Sequence, residues 1–134
     1  NTYFQRAFEA LGVPVQDRER PVLRGPTQAF HEVMADAIAD TGYLETLTPL
    51  VVFEWLYNAW ATAVADRQPE KFYHREWIAL HANPVFDPFV AWLRAQLDCD
   101  GSALAPERQD RILALFRRTV ALEKAFFDDA YAAE

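Results

Sequence analysis

One stretch constrains the fold of this chain more than any other: residues 46–65, TLTPLVVFEWLYNAWATAVA, carry a single side chain that is charged at neutral pH, Glu54. An apolar segment of this length is typical of a helix that neighbouring elements cover on every side. A carboxylate in such a helix needs a hydrogen-bonding or charged partner, or it takes up a proton. Glu54 is therefore either a satisfied core residue or a functional group.

A membrane span is a poor interpretation of the same stretch. The segment is long enough, but a carboxylate at its centre costs about 2.5–3.5 kcal/mol on insertion scales. Pro49 and Asn58 also lie within it. We therefore predict a buried core helix and no membrane association.

Composition predicts one acidic domain over residues 1–134. Hydrophobic residues make up 51% of the chain, which is enough for a packed core. The chain has 20 acidic and 13 basic residues, a net charge of −7, and lacks the basic cluster that binds nucleic acid. Cys99 is the single cysteine, so it forms no internal disulfide. It lies between two aspartates, which raise the pKa of its thiol and make it a poor nucleophile. These features favour a cytoplasmic protein that does not bind nucleic acid.

Helical spacing of apolar residues recurs along the chain, and the sequence has no alternating strand pattern and no internal repeat. We predict helices over residues 2–11, 25–41, 43–66, 70–80, 83–97 and 106–132, with an irregularity at Pro49. Gly12 is predicted to end the first helix, and Asn83 to cap the fifth. Residues 16–24 and 98–105 are predicted to be connections. The predicted fold class is all-α.

A second glutamate, Glu123, occupies an apolar position in the last predicted helix. On the central helix Glu54, Tyr57 and Asn58 share one face through their i, i+3 and i+4 spacing. Glu123 is followed one turn later by an aromatic pair that begins at Phe126. A carboxylate next to rings suits a flat heteroaromatic ligand. Two carboxylates in one pocket can also divide the work of acid and base.

The residue pattern leaves other interpretations of the two glutamates open. Each carboxylate can instead be satisfied by an arginine such as Arg75 or Arg118. A di-iron site is disfavoured, because such bundles use Glu-x-x-His motifs and the last helix contains no histidine. Among the histidines, His81 is the better candidate for lining a pocket mouth. The single serine, Ser102, lies in no nucleophile motif.

Four segments together resemble one family. They are residues 26–30 (PTQAF), residues 54–60 (EWLYNAW), Tyr73 with residues 76–78 (EWI), and residues 122–131 (LEKAFFDDAY). In this order and spacing they are similar to the TenA family, the thiaminase II-like enzymes of thiamin pyrimidine salvage. The Glu-x-x-Tyr-x-x-Trp pattern is similar to the glutamate-bearing branch of that family. The resemblance covers nearly the whole chain and implies an all-α, haem-oxygenase-like helical bundle.

The resemblance also implies roles for individual residues. Glu54 takes the catalytic role, as base or nucleophile, that a cysteine holds in another branch, whose cysteine position is Phe53 in this chain. Glu123 handles protons at the pyrimidine ring or at its leaving group. The implied substrate-binding residues are Phe30, Tyr57, Tyr73 and Phe126.

The activity that the resemblance implies is hydrolysis of an aminopyrimidine without a metal or other cofactor, in a homo-oligomer expected to be a tetramer. The family's early helices, including an aspartate that grips the aminopyrimidine, would precede Asn1. We therefore expect this chain to be the C-terminal portion of the full fold. The alternative function is a non-catalytic helical module that binds a pyrimidine or a protein partner.

Overall fold

Helices make up the fold, which is known from a computed structural model that describes residues 2–39 and 42–132. These residues contain no strand, so the all-α prediction is confirmed. The helices are α1 Thr2–Ala10, α2 Val15–Glu19, α3 Gly25–Ala39, α4 Tyr43–Ala63, α5 Phe72–His81, α6 Phe86–Ser102 and α7 Pro106–Ala132. The second predicted helix, residues 25–41, corresponds to α3, and its predicted end at Thr41 lies outside the described residues.

The central position of α4 is confirmed, because α3, α5, α6 and α7 all pack against it. Its residues Leu44, Leu47 and Val51 form a buried cluster with Leu93 of α6 and Ile112 of α7. The helix continues through Pro49 without a break. Among the described residues, no helix is both long and apolar enough to cross a membrane.

Two segments that were predicted as connections prove to be partly helical. Val15–Glu19 forms the short helix α2, and Arg18 donates a hydrogen bond to the Val13 carbonyl oxygen at 2.7 Å, which stabilises the turn before it. Helix α6 continues to Ser102, so the predicted loop from Asp98 onward is wrong over its first half. The Gln109 side chain donates to the carbonyl oxygens of Ser102 and Leu104, at 3.3 and 3.0 Å. Carbonyls at a helix end need such partners, and the sequence pattern does not reveal them.

The predicted end signals of α1 and α6 act as expected. Gly12 follows α1 with a φ of 66°, the left-handed conformation that glycine adopts without strain. Asn83 Oδ1 accepts hydrogen bonds from the backbone N–H groups of Val85 and Phe86, at 3.0 and 2.9 Å. Because the helix proper begins at Phe86, Asn83 caps α6 through a short turn.

A partly buried ion pair joins the starts of α4 and α7. The Arg108 guanidinium donates to both carboxylate oxygens of Glu45, with N–O distances of 2.9 and 2.8 Å. Glu45 is only 5% exposed, and the Arg108 bonds lower its pKa. A Cβ atom on Gly42 would lie 1.8 Å from Glu45 Oε2, so an alanine at that position would make the Glu45 carboxylate shift. The pair holds together the two helices that carry the predicted glutamates.

Candidate functional site

An open groove of about 620 Å³ runs between α3, α4 and α7, and we call it the glutamate groove. Four of the six predicted site residues line it: Phe30, Tyr57, Glu123 and Phe126. The other lining residues are His31, Met34, Ala35, Ile38 and Phe53. The fold therefore brings together residues that are up to 96 positions apart in the sequence, from Phe30 to Phe126.

Aromatic rings form the walls of the glutamate groove. Phe30 of α3 contacts Phe53 of α4 and Phe126 of α7 edge to face, with centroid distances of 5.3 and 5.7 Å. Edge-to-face packing fixes the ring planes relative to one another. A slot with fixed ring walls suits a flat ligand, as the residue pattern indicated.

Glu123 is the most unusual group of the groove. Its side chain lies in the middle of α7 and is only 2% exposed, and Oε2 is buried without a hydrogen-bond partner among the described residues. Burial raises its pKa to about 7. A carboxyl group with this pKa can donate or accept a proton near neutral pH.

Neither Arg75 nor Arg118, the two arginines named above as possible partners of the glutamates, bonds to Glu123. Arg118 donates to Asp36 at 3.1 Å. Arg75 donates to the backbone carbonyl oxygens of Pro69 and Glu70. Neither guanidinium is thus bonded to Glu123, whose charge state is set by burial alone.

Tyr57 is electrostatically coupled to both predicted catalytic glutamates. Burial raises its pKa to about 12, and the charges of Glu123 and Glu54 add to the shift. The phenol is therefore neutral at physiological pH and can donate a hydrogen bond. Tyr57 lines the groove, and the charges of both carboxylates act on its phenol.

Glu54 does not line the groove itself. It is half-buried on α4, and burial raises its pKa, an effect that the nearby charge of His81 partly offsets. One turn later, Asn58 donates to the His81 carbonyl oxygen at 2.8 Å and to Asp87 Oδ1 at 2.7 Å. This polar face of α4 is directed towards α5 and α6, next to Tyr57.

Comparison with known proteins places these residues in a family. A sequence model of the TENA/THI-4/PQQC family matches residues 1–133. The chain belongs to this family. An aminopyrimidine aminohydrolase from Halalkalibacterium halodurans is 25% identical over 130 residues, which cover 94% of this chain and 58% of that protein. The chain thus spans little more than half the length of this curated relative.

Family membership confirms the resemblance to TenA. One predicted substrate-binding residue, Tyr73, does not line the groove. Tyr73 lies in the first turn of α5, where its carbonyl oxygen accepts a hydrogen bond from the Tyr3 hydroxyl at 3.0 Å. Its ring packs against Phe72 and His74. The residues of α5 that reach Tyr57 are Trp77 and His81, with ring centroids 5.8 and 5.5 Å from that of Tyr57, and they lie about 6 and 12 Å further along the helix axis than Tyr73.

Several groove residues of this TENA/THI-4/PQQC chain were missed by sequence reasoning. Met34 and Ile38 follow Phe30 at helical spacing, which indicates an apolar face of α3, and part of that face lines the groove. Ile38 is 60% exposed. Phe53 lies one turn before Tyr57, and that spacing was the available signal. Apolar periodicity identifies a face of a helix, but it does not tell whether a neighbour covers that face.

Glu123 also lines a second, smaller cavity of about 400 Å³ on α4 and α7. The rings of Trp60 and Phe127 meet edge to face in its wall, at 5.1 Å. The Lys124–Asp128 ion pair, at 2.5 Å, also lines it. The Glu123 side chain therefore lies between two cavities.

Within residues 2–39 and 42–132, no group of three or more His, Cys, Asp or Glu side chains is placed to hold a metal ion. The glutamate groove contains one histidine, His31, and one glutamate. The donor set of the groove is that of a proton-transfer site with aromatic walls.

Proposed function

We propose that this chain carries the catalytic glutamates of an aminopyrimidine hydrolase, a thiaminase II-like enzyme of thiamin pyrimidine salvage. The observation that carries the proposal is Glu123, whose buried carboxyl has a pKa of about 7 and one oxygen without a hydrogen-bond partner among the described residues, in a groove walled by rings. The name of the relative from Halalkalibacterium halodurans supplies the substrate class.

The groove offers two means of recognising an aminopyrimidine. Its flat ring can lie against the aromatic wall formed by Phe30, Phe53 and Phe126. A protonated Glu123 can donate to a ring nitrogen, and an ionised Glu123 can accept from an amino group. The neutral phenol of Tyr57 adds a further donor on the same side as Glu123.

The proposed reaction cleaves the bond between the exocyclic methylene carbon and its amine nitrogen. The oxygen of a water molecule forms the new bond to that carbon, which gives an alcohol and a free amine. Protonated Glu123 gives its proton to the leaving nitrogen, and the Glu54 carboxylate takes a proton from the attacking water. Exchange of both protons with solvent then restores the starting state. In the other form of the same assignment, the Glu54 carboxylate attacks the carbon as the amine leaves with the Glu123 proton, and water then hydrolyses the ester to the alcohol and restores the carboxylate.

The test is turnover of 4-amino-5-aminomethyl-2-methylpyrimidine by the purified protein, followed by chromatography of the alcohol product. We expect Glu123→Gln and Glu54→Gln each to lower kcat by about 100-fold or more, because each removes one proton-transfer group. Glu107→Gln, which changes an exposed acid at the start of α7, is the matched control and should turn over normally. Undiminished turnover in both site variants would sink the residue assignment.

A different result would support the non-catalytic alternative. If calorimetry shows that the wild-type protein binds the pyrimidine without turnover, the groove is a binding site only. The cytoplasmic location and the homotetramer remain predictions from composition and from the resemblance.

A further inference from the structure

His81 ends α5 beside the polar face of α4, and no role has yet been assigned to it. Its ring lies edge-on to Tyr57 at 5.5 Å and to Phe86 of α6 at 5.5 Å. It also lies against the Trp77 ring, with centroids 4.7 Å apart. Rings from three helices thus fix the plane of the imidazole.

Two hydrogen bonds fix the position and the tautomer of His81. Its Nδ1 lies 2.7 Å from the Trp77 carbonyl oxygen, which can only accept, so Nδ1 carries a proton. Its own carbonyl oxygen accepts from the Asn58 side chain at 2.8 Å, which ties the end of α5 to α4. The remaining ring nitrogen, Nε2, is left for other groups.

The charged and titratable groups around His81 come from two neighbouring helices. They are Glu54 and Tyr57 on α4, and Asp87 on α6, which shares the Asn58 amide with the His81 carbonyl. A positive charge on His81 lowers the pKa of Glu54 against the effect of burial. His81 therefore contacts Tyr57 directly and acts on Glu54 through its charge.

We propose that His81 is a positioning residue of the glutamate site, whose anchored imidazole holds the Tyr57 ring in place one turn after Glu54 on the same face of α4. Its catalytic consequence rests on the proposed function, whereas its effect on Glu54 and Tyr57 does not. In the hydrolysis, Glu54 must be ionised to accept the proton of the attacking water.

The decisive variant is His81→Phe, which keeps a ring between Tyr57, Trp77 and Phe86 and removes both nitrogens. The titration of Glu54 is followed by NMR of protein labelled with ¹³C in the glutamate carboxyl groups, and the Glu54 signal is assigned by its loss in Glu54→Gln. We expect the Glu54 midpoint to rise by about half a pH unit or more in His81→Phe. With the pyrimidine substrate, we expect kcat to fall about tenfold or more and KM to change little.

His74→Phe is the matched control, because His74 is an exposed residue of the same helix. It should leave both the Glu54 midpoint and kcat unchanged. His81→Gln, which places an amide near the position of Nε2, is the second variant if His81→Phe fails to fold. It should restore part of kcat without restoring the midpoint, because it is never charged.

An unchanged Glu54 midpoint in the folded His81 variants would overturn the proposal, and so would wild-type kcat in His81→Phe. If wild-type protein has no turnover, the proposed function fails. The NMR titration still decides whether His81 acts on Glu54, so the two failures are distinguishable.

Discussion

Glu123 shows why a single buried carboxyl can be informative about function. A satisfied core glutamate would have hydrogen bonds to both oxygens, whereas Glu123 Oε2 has none among the described residues and two cavities flank the side chain. Leaving such a group without a partner is costly. A cost of this kind that the core does not offset favours a functional role for Glu123.

The raised pKa of Glu123 predicts a particular dependence of stability on pH. Between the ordinary carboxyl pKa and about 7, the folded state binds more protons than the unfolded state, so the free energy of unfolding falls as pH rises through this window. Glu123→Gln is neutral at every pH and removes this loss. We expect equal stability at about pH 5 and a gain of about 1–3 kcal/mol for the variant at about pH 8, as measured by urea unfolding. Water in the groove screens the charge and favours the lower figure.

The same measurement on Glu107→Gln is the control for that pH dependence. Glu107 is exposed, so its substitution should leave the difference between the two pH values close to that of the wild type. If Glu123→Gln and the wild type lose stability equally between the two pH values, Glu123 does not have a raised pKa.

At the level of helices, α4 and α7 carry the two glutamates, and the Glu45–Arg108 pair joins their first turns. This pair could not be predicted from the sequence, because an acidic residue in a first helical turn is common and Arg108 is 63 positions away from Glu45. Because the Glu45 pKa is lowered, the stabilisation from this pair is present above the ordinary carboxyl pKa. It is lost as pH falls through the lowered value.

Gly42→Ala should break this helix pairing. The new Cβ would lie 1.8 Å from Glu45 Oε2 and 2.9 Å from Arg108 Nη2, so the carboxylate must move away from its partner. Both contacted atoms are the ends of flexible side chains and the Arg108 side chain is 38% exposed, so we expect a loss of about 1 kcal/mol in the free energy of unfolding. Gly25→Ala is the control, since nothing lies within 4 Å of its Cβ position. A Gly42→Ala loss no larger than that of Gly25→Ala would contradict the role of the pair.

Gly101→Ala tests whether α6 continues to Ser102. Gly101 lies inside the observed helix, and nothing lies within 4 Å of its Cβ position. Alanine should therefore stabilise the protein by about 0.5–1 kcal/mol in thermal or urea unfolding. Gly12→Ala should do the opposite, because Gly12 has a φ of 66°. No gain at Gly101 would indicate that residues 98–105 form a loop, as the sequence suggested.

For the whole molecule, features marked by a local sequence signal could be predicted, and features that depend on how the helices pack could not. The long apolar run of α4, the proline at the start of α7 and the glycine after α1 are local signals, and they placed those elements correctly. Glu123 was recognised because a charge in an apolar stripe is also a local anomaly. The position of Tyr73 and the Glu45–Arg108 pair depend on how helices pack, which no local pattern encodes.

Packing also predicts that α1 is much less protected than α4. Its main contacts are with α5, through the Tyr3–Tyr73 hydrogen bond, the two Arg6–Glu76 bonds at 3.0 and 2.8 Å, and the Arg6 guanidinium 4.7 Å from the Phe72 ring centre. Helix α4 is instead covered by four helices. Amides of α1 should therefore exchange with solvent by local opening, and those of α4 only by global unfolding.

Arg6→Ala tests this difference by hydrogen exchange followed with mass spectrometry. Loss of the ion pair and of the cation–π contact costs about 1 kcal/mol, which should make α1 amides exchange about fivefold faster. Amides of α4 should exchange at the wild-type rate, because the groove and the core do not depend on Arg6. Arg117→Ala, at an exposed arginine of α7, should leave α1 unchanged. Equal acceleration in α1 and α4 would show that α1 belongs to the same cooperative unit as the core.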